Sequence, residues 1–124
     1  MADLLTSLGF AASGMQAQAG RLRTLSENIA NADTPGYRRK TVSFEEMADG
    51  VMLGPVRLDR TEGARIYDPG HPLADESGYY DGSNVDLVVE IADAREAQRS
   101  YEANLRVFDQ ARQMTQGLFD LIRK

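Results

Sequence analysis

Residues 4–36 decide the fold, and they read LLTSLGFAASGMQAQAGRLRTLSENIANADTPG. Seam positions recur in this stretch at alternating intervals of four and three, the pattern of an amphipathic helix that packs along one seam. The residues of this seam are Leu4, Leu8, Ala11, Met15, Gln18, Leu22, Leu25, Ile29 and Ala32. Three glycines within the helix each weaken it by roughly 1 kcal/mol relative to alanine, so we expect a partner helix to support it.

The helix is expected to stop before Gly36. Pro35 disfavours helical geometry at Thr34, and a Pro-Gly pair favours a type II turn in which the glycine takes a positive φ. Asn28 and Asn31 lie one turn apart just before this stop, where side-chain amides commonly bond a neighbouring backbone. We therefore predict an N-terminal helical unit over residues 1–33.

A second long helix is predicted over residues 83–124. Ser83 followed by Asp86 fits a variant of the capping box at its start. Its seam runs through Leu87, Ile91, Ala94, Gln98, Tyr101, Leu105 and Phe108. After Phe108 it shifts towards Ala111, Met114 or Thr115, Leu118, and Leu121 or Ile122. The two helices are expected to pair as an antiparallel hairpin.

Two paired helices bury only one face each, so apolar residues away from the seams are expected to remain partly exposed. The residues predicted to do so are Leu5, Phe10, Val107, Phe119 and Leu121. Exposed apolar surface of this kind often marks an interface. The chain is therefore predicted to associate with other helices.

Residues 34–82 are predicted to form a small β insert with loops. Alternation over residues 40–44 and short apolar runs at 51–53, 56–58 and 64–67 indicate strands, with a turn at Gly54-Pro55. The basic run over residues 38–40 is expected to be a solvated or subunit-contacting patch. The predicted fold class is mainly α: long N- and C-terminal helices pair as an antiparallel coiled-coil-like hairpin, with a short β/loop region between them.

Composition excludes several classes of protein. A length of 124 residues fits one domain, and the absence of cysteine excludes disulfides, thiol catalysis and cysteine-ligated zinc. A net charge of −5 argues against a nucleic-acid partner. No apolar run approaches the ~18 residues of a membrane span, and the first residues lack the basic start of a secretory signal peptide.

One loop rich in turn-forming residues offers a candidate metal or acid–base site. Its residues are Asp68, His71 and Asp75, which lie close together in the sequence. Their irregular spacing matches no established metal-ligand pattern, so a structural role in the turn is the better interpretation. The chain also lacks a glycine-rich phosphate loop and a nucleophile motif. We predict no catalytic residue, no metal and no cofactor.

Several motifs resemble the bacterial flagellar axial proteins, the family of rod, hook and hook-associated proteins. The N-terminal residues that carry the resemblance are Ser13, Gly14, Asn28, Asn31, Thr34, Pro35, Gly36, Tyr37 and Arg38. A narrower resemblance, to the short proximal-rod subunits of that family, is carried by Asp68, Pro69, Gly70, His71, Pro72, Asn84, Glu90, Tyr101, Glu102 and Asn104. Hook and distal-rod members carry larger middle domains than this chain can hold.

The resemblance implies a structural subunit of the proximal rod, polymerised by helix packing into a tubular drive shaft that transmits torque and forms part of an export channel. The partners implied are further copies, other rod proteins, the rod-base adaptor, inner-membrane ring components and the flagellar type III export apparatus. Neither nucleic acid nor direct membrane insertion is expected. The implied location is the periplasmic rod, reached without a cleaved signal peptide. Helix packing is assigned to Leu4, Leu8, Met15, Leu22, Leu25, Ile29, Leu87, Ile91, Leu105, Phe108, Leu118 and Ile122.

Two alternatives stay open from the sequence. One is a soluble helical adaptor that binds a partner helix in a groove. The other is the paralogous short rod subunit, against which the Asp-Pro-Gly-His-Pro loop over residues 68–72 argues. A stable helical monomer that binds one cytoplasmic partner saturably would favour the adaptor.

Overall fold

The two predicted helices are present and packed together in the computed structural model, which describes residues 2–123. Helix α1 covers Ala2–Ala30 and helix α2 covers Leu87–Arg123. They run antiparallel, because Asn28 near the end of α1 contacts Glu90 near the start of α2. The predicted fold class, mainly helical with a small β insert, is confirmed.

Six short strands lie between the helices. They are β1 (Lys40–Thr41), β2 (Phe44–Met47), β3 (Gly50–Leu53), β4 (Arg57–Leu58), β5 (Arg65–Tyr67) and β6 (Tyr79–Asp81). They form three antiparallel pairs, β1 with β4, β2 with β3 and β5 with β6. Of the strand residues, Gly50 alone is buried, so the insert has no core of its own and is held by contacts with the helices.

The insert differs from the prediction in how its strands connect. The turn predicted at Gly54-Pro55 does not join a hairpin, because β3 pairs with β2 and β4 pairs with β1. The tight turn lies instead at Ala48-Asp49, between β2 and β3. Strand β2 contains Glu45 and Glu46, and glutamate is depleted in strands, so sequence patterning did not extend the strand to them.

Helix α1 ends at Ala30 rather than at residue 33. The predicted type II turn follows it: Gly36 has a φ of 75°, and the Tyr37 N–H donates to the Thr34 carbonyl at 3.2 Å. A positive φ at this position favours glycine because it carries no Cβ. The turn reverses the chain so that residues 37–40 run back beside the end of α1.

Helix α2 begins at Leu87 rather than at residue 83, and its cap is Asp86. The Asp86 Oδ1 accepts a hydrogen bond from the Val88 N–H at 3.1 Å, as an N-cap side chain does. Ser83, the predicted cap, instead donates its hydroxyl to the Ala32 carbonyl just beyond α1. Ser83 therefore joins the segment that leaves α1 to the segment that enters α2.

The core between the helices is built mainly from small side chains. Its buried apolar residues are Ala11, Ala17, Leu25, Ala97 and Ala111. The helices approach closely at Gly14, where an added Cβ would lie 2.8 Å from the Asn104 Oδ1. A fully buried large apolar side chain contributes about 1.5–3 kcal/mol, and an alanine core offers few of them.

The predicted seams fall partly beside the buried faces. Leu25 is buried, while half-buried positions are Leu4, Leu8, Met15, Leu22, Ile29 and Phe108. The exposed positions are Leu87, Ile91, Leu105, Leu118 and Ile122. The buried residues of α2 are Glu90, Ala97, Ala111 and Thr115. In the first half of α2 the buried residues are Glu90 and Ala97, each one position before a predicted seam residue. In the second half the buried Ala111 and Thr115 belong to the predicted seam.

Candidate assembly site

A polar junction lies where the end of α1 meets the start of α2, and Asn28 is at its centre. The Asn28 side chain is fully buried. Its Nδ2 donates to the Lys40 carbonyl at 2.8 Å and to the Glu90 Oε2 at 3.3 Å. Its Oδ1 accepts the Lys40 N–H and the Tyr37 hydroxyl, each at 2.8 Å. The amide thus uses both of its donor hydrogens and accepts two bonds.

The carboxylate of Glu90 is fully buried in the same junction. Its Oε1 accepts a hydrogen bond from the Arg39 Nε at 2.6 Å, and the Arg39 Nη1 lies 3.4 Å from Asp59. Burial is the largest single influence on the pKa of Arg39 and lowers it, but the hydrogen bonds and negative charges of Glu90 and Asp59 together outweigh burial, so the guanidinium pKa is raised. Pairing of this kind allows a carboxylate to stay in the interior.

Asn84 extends the junction to the insert. Its Oδ1 accepts the Arg39 N–H at 2.6 Å, and its Nδ2 donates to the carbonyls of Asp59 at 2.8 Å and Thr61 at 3.0 Å. The Arg38 Nη1 donates to the same Thr61 carbonyl at 2.5 Å. One asparagine therefore holds together the chain before β1, the chain after β4 and the approach to α2.

The phenol of Tyr37 is neutral in this arrangement, because it donates to Asn28. Burial, together with the nearby charge of Glu27, raises the pKa of Tyr37. The Lys40 Nζ contacts the Glu27 Oε1 at 2.5 Å, and this hydrogen bond raises the pKa of Lys40. Within residues 2–123, every buried side-chain nitrogen or oxygen has a hydrogen-bond partner. The buried polar groups of the junction are therefore all hydrogen-bonded, and the junction holds the end of α1 to the start of α2.

Five of the motif residues meet in this junction, namely Asn28, Tyr37, Arg38, Asn84 and Glu90. Arg39 and Asp59 were not predicted as part of it. The basic run at residues 38–40 was expected to be a solvated or subunit-contacting patch, but its side chains bind within the chain. The available signal was a glutamate at position 90 inside the apolar run at residues 87–91, since an acid on a buried face requires a partner.

A second cluster lies midway along α1 at Ser13. The Ser13 hydroxyl donates to the Phe10 carbonyl at 2.8 Å and accepts the Val51 N–H at 3.1 Å. Gly50 packs against it with a φ of 145°, and an added Cβ there would lie 2.0 Å from the Ser13 Oγ. The predicted motif residues Ser13 and Gly14 therefore anchor the β2–β3 hairpin and α2 on adjacent faces of α1. Within α2 the Asn104 Nδ2 donates to the Ser100 carbonyl at 2.9 Å, which fixes the side chain that lies against Gly14.

The loop over residues 67–72 forms a hydrogen-bonded turn, and most of its residues are exposed. The His71 N–H donates to the Asp68 carbonyl at 3.0 Å, and the His71 Nδ1 accepts the Leu73 N–H at 3.0 Å. The His71 ring stacks on the Tyr80 ring, with centroids 3.9 Å apart. Pro69, Gly70 and Pro72 are exposed on its surface. The only histidine of the chain is thus engaged in the turn.

Asp75 also holds this turn. Its Oδ1 accepts the N–H groups of Ser77 and Tyr79, and its Oδ2 lies 2.7 Å from the Arg65 guanidinium. The Tyr79 N–H and then Arg65 lower the pKa of Asp75. Among residues 2–123 no group of three or more histidine, aspartate or glutamate side chains is arranged to hold a metal ion.

The remaining motif residues lie apart from these clusters. The Asn31 Nδ2 donates to the Glu27 carbonyl at 2.8 Å, and the Asn31 Oδ1 accepts the Thr34 hydroxyl at 3.1 Å. Pro35 lies exposed in the adjoining turn. Tyr101 is half-buried beside a shallow groove between the helices, and Glu102 is exposed on α2.

Apolar side chains are exposed along both helices, as predicted. The predicted residues are Leu5, Phe10, Val107, Phe119 and Leu121, which are between 45% and 68% exposed. Val88 and Ile122 are more than 70% exposed and extend this surface to the two ends of α2. Within residues 2–123 no helix is long and apolar enough to cross a membrane. Exposed apolar surface on this scale is typical of an interaction site.

Comparisons with known proteins match both helices. Residues 8–38 match the family described as flagella basal body rod protein, and residues 76–121 match flagellar basal body rod FlgEFG protein C-terminal. The flagellar basal-body rod protein FlgC of Agrobacterium fabrum is 43% identical, over 99% of this chain and 98% of that relative. FlgC of Salmonella typhimurium is 35% identical over 90% of this chain and 92% of its own. FlgC of Aquifex aeolicus is 34% identical, with 97% and 98% covered.

These relatives all carry the FlgC name, which decides between the two short rod subunits that the sequence left open, FlgC and FlgB. They are rod proteins, and the motif residues Asn28, Glu90 and Ser13 of this chain form hydrogen bonds that join its helices and its insert. This chain belongs to the FlgC family and is a structural subunit of the bacterial flagellar basal-body rod.

Proposed function

We propose that this chain polymerises through the exposed apolar faces of α1 and α2 into the tubular wall of the proximal rod. The wall then acts as a drive shaft and lines part of the export channel. One observation carries the proposal: the helix pair has an alanine-rich core, whereas its large apolar side chains other than Leu25 lie outside that core. Residues 1–33, 34–82 and 83–124 then act together as one structural unit.

The energy available from these faces is comparable with the cost of assembly. Complete burial of a large apolar side chain contributes about 1.5–3 kcal/mol, and association costs an estimated 4–15 kcal/mol. Val88, Leu121 and Ile122 are each more than two-thirds exposed and gain most from being covered. A subunit that covers several such side chains at each contact can therefore offset the loss of its freedom.

The direct neighbours that we propose are further copies, other rod proteins, the rod-base adaptor and inner-membrane ring components. The loop over residues 67–72 supports contact with the next subunit or the surrounding rings, since Tyr67 is 63% exposed and Leu73 beside the loop is 62% exposed. The net charge of −5 gives no support to a nucleic-acid partner. We propose no enzymatic activity for the chain.

The proposed location is the periplasmic rod, reached through the flagellar type III export apparatus without a cleaved signal peptide. An alanine-rich core and glycines within α1 support this route, because both make the helix pair easy to unfold for passage through a narrow channel. When the exported chain folds on assembly, its loss of conformational entropy is then offset by the burial of apolar surface at the interface.

Quantitative mass spectrometry of detergent-purified basal bodies tests the proposal. We expect this chain to be enriched in a fixed ratio to the other rod proteins of the source organism. A cytoplasmic extract of the same cells is the matched comparison. The proposal fails if the chain is absent from basal bodies and abundant in that extract, which is the distribution expected of a soluble adaptor.

A further inference from the structure

The β2–β3 hairpin, residues 44–53, carries an unbalanced negative charge. Residues 41–56 contain Glu45, Glu46 and Asp49 and neither lysine nor arginine. All three acids are exposed, and none of them forms an ion pair with another described residue. We call this segment the acidic hairpin.

A line of arginines lies on α2. At 3.6 residues per turn, positions 88, 92, 95, 99 and 106 share one face of the helix, roughly opposite the face that packs on α1. We call this surface the arginine stripe, and its residues are Val88, Ala92, Arg95, Arg99 and Arg106. The three arginines are exposed and have no ion-pair partner among residues 2–123.

The acidic hairpin cannot reach the arginine stripe of its own chain. The hairpin is fixed to α1 through the Val51 N–H and the Ser13 hydroxyl, 3.1 Å apart, and through Leu53, which lies against Gly20. The stripe faces away from α1, on the far side of α2. Two surfaces of opposite charge that are held apart in this way can meet only between different molecules.

We propose that the acidic hairpin of one copy docks on the arginine stripe of a second copy, an interaction that rests on the proposed rod function. The charges are matched, three acids against three arginines, and complementary charge selects partner and orientation. Apolar side chains accompany both: Met47 and Met52 on the hairpin are nearly half exposed, and Val88 on the stripe is 78% exposed.

Three other acids lie near the arginine stripe and leave its charge positive. Asp109 lies 3.9 Å from the Arg112 guanidinium and is therefore partly neutralised. The Glu96 carboxylate is 3.6 Å from the Arg21 guanidinium and is therefore partly neutralised. Glu102 is exposed on the flank of the stripe. Each copy presents one hairpin and one stripe on different surfaces, so the contact is head-to-tail and propagates into an open assembly unless its rotation closes.

Disulfide cross-linking tests the contact directly, because the chain has no cysteine of its own. Basal bodies that contain the variant Glu46→Cys/Arg99→Cys are expected to give reducible dimers and longer ladders of this chain on oxidation. The matched control is Glu76→Cys/Arg99→Cys, which replaces an exposed acid outside the hairpin and is expected to give no ladder. A normally incorporated Glu46→Cys/Arg99→Cys chain that gives no ladder on oxidation and none with a bismaleimide cross-linker, whose spacer covers the length of the replaced side chains, overturns the proposal.

Exchanging the charges of the acidic hairpin and the arginine stripe tests the docking even if the cysteine variant fails to assemble. Glu45→Lys/Glu46→Lys and Arg95→Glu/Arg99→Glu are each expected to lower incorporation into basal bodies about tenfold, and their combination to restore it. Unchanged incorporation in both halves, or no restoration by the combination, overturns the docking while leaving the rod function intact. Absence of the wild-type chain from basal bodies would instead overturn the rod function itself.

Discussion

The side-chain amide of Asn28 and the carboxylate of Glu90 are both fully buried and meet at 3.3 Å, although 62 positions separate them in the chain. This contact fixes how far α1 and α2 are shifted along each other. The alanines elsewhere in the core specify that shift weakly, because small apolar residues pack almost equally well one turn away. A buried polar pair specifies it strongly, since a slipped pairing leaves polar groups without partners.

Removing the carboxylate should therefore be costly. Glu90→Ala leaves the Arg39 guanidinium without its main partner, and we expect the free energy of unfolding to fall by about 3 kcal/mol. This is the low end for a broken buried pair, because the Arg39 side chain keeps 24% of its exposure. Urea unfolding followed by circular dichroism measures it, with Glu102→Ala, at an exposed position, expected within about 0.5 kcal/mol of wild type. Equal losses of unfolding free energy in the two variants would contradict a stabilising role for the buried Glu90 pairing.

Substitution by alanine should stabilise the chain at one glycine and destabilise it at another. Gly9 lies in α1 with open space around it, so Gly9→Ala should stabilise the chain by about 1 kcal/mol. At Gly63 an added Cβ would lie 2.5 Å from the Gly82 carbonyl oxygen, a backbone atom that cannot move aside cheaply. Gly63→Ala should therefore destabilise by about 1–3 kcal/mol. Thermal unfolding of both variants checks the signs, and a stabilising Gly63→Ala would refute the close approach.

Acid should weaken the turn held by Asp75. Its pKa in the folded chain lies below the ordinary 3.8, so its contribution to stability is complete above that pH and is lost as the pH falls through the lowered pKa. Asp75→Asn should thus be less stable than wild type at neutral pH, and the difference should shrink below pH 3.8. Melting temperatures of both proteins across this range test it. A difference that stays constant with pH would exclude this role for the carboxylate.

Exposed apolar residues should matter for assembly and little for folding. Leu121 is 68% exposed, so Leu121→Asp should change the free energy of unfolding by no more than about 0.5 kcal/mol while preventing incorporation into basal bodies. Leu121→Met keeps the side chain apolar and should incorporate normally. Leu25→Asp, at a buried position, should unfold the chain instead. Normal swimming of cells that carry Leu121→Asp would remove this position from the proposed interface.

The helices were predictable because their signals are local. Periodic apolar residues predicted α1 and α2, and the Pro35-Gly36 pair predicted the turn, which the φ of Gly36 confirms. The strand pairing of the insert was not predictable, since it depends on contacts with α1 such as that between Ser13 and Val51. In the first half of α2 the predicted seam was misplaced by one position, at Ile91 and Gln98, because apolar patterning favours large side chains and the close packing of two helices requires small ones. In the second half Ala111 and Thr115 were predicted correctly.

The candidate site was predictable in part. Asn28, Tyr37, Asn84 and Glu90 were identified from motifs, but motif resemblance does not say which of them touch. The role of Arg39 was missed because a run of three basic residues is usually solvated. Its burial follows from the tertiary structure, which places the start of the insert over a buried acid.

The junction also determines when the fold can be completed. Its parts come from both sides of the insert, and the last of them, Glu90, follows 89 earlier residues in the chain. On the ribosome, or on any route that delivers the N-terminus first, Asn28 emerges long before the group that it must bind. A chain that breaks off before residue 90 lacks the Glu90 carboxylate and nearly all of α2, so its junction cannot form. Because the junction needs Glu90, it can form only after most of the chain has emerged, and only in a chain that extends beyond residue 90.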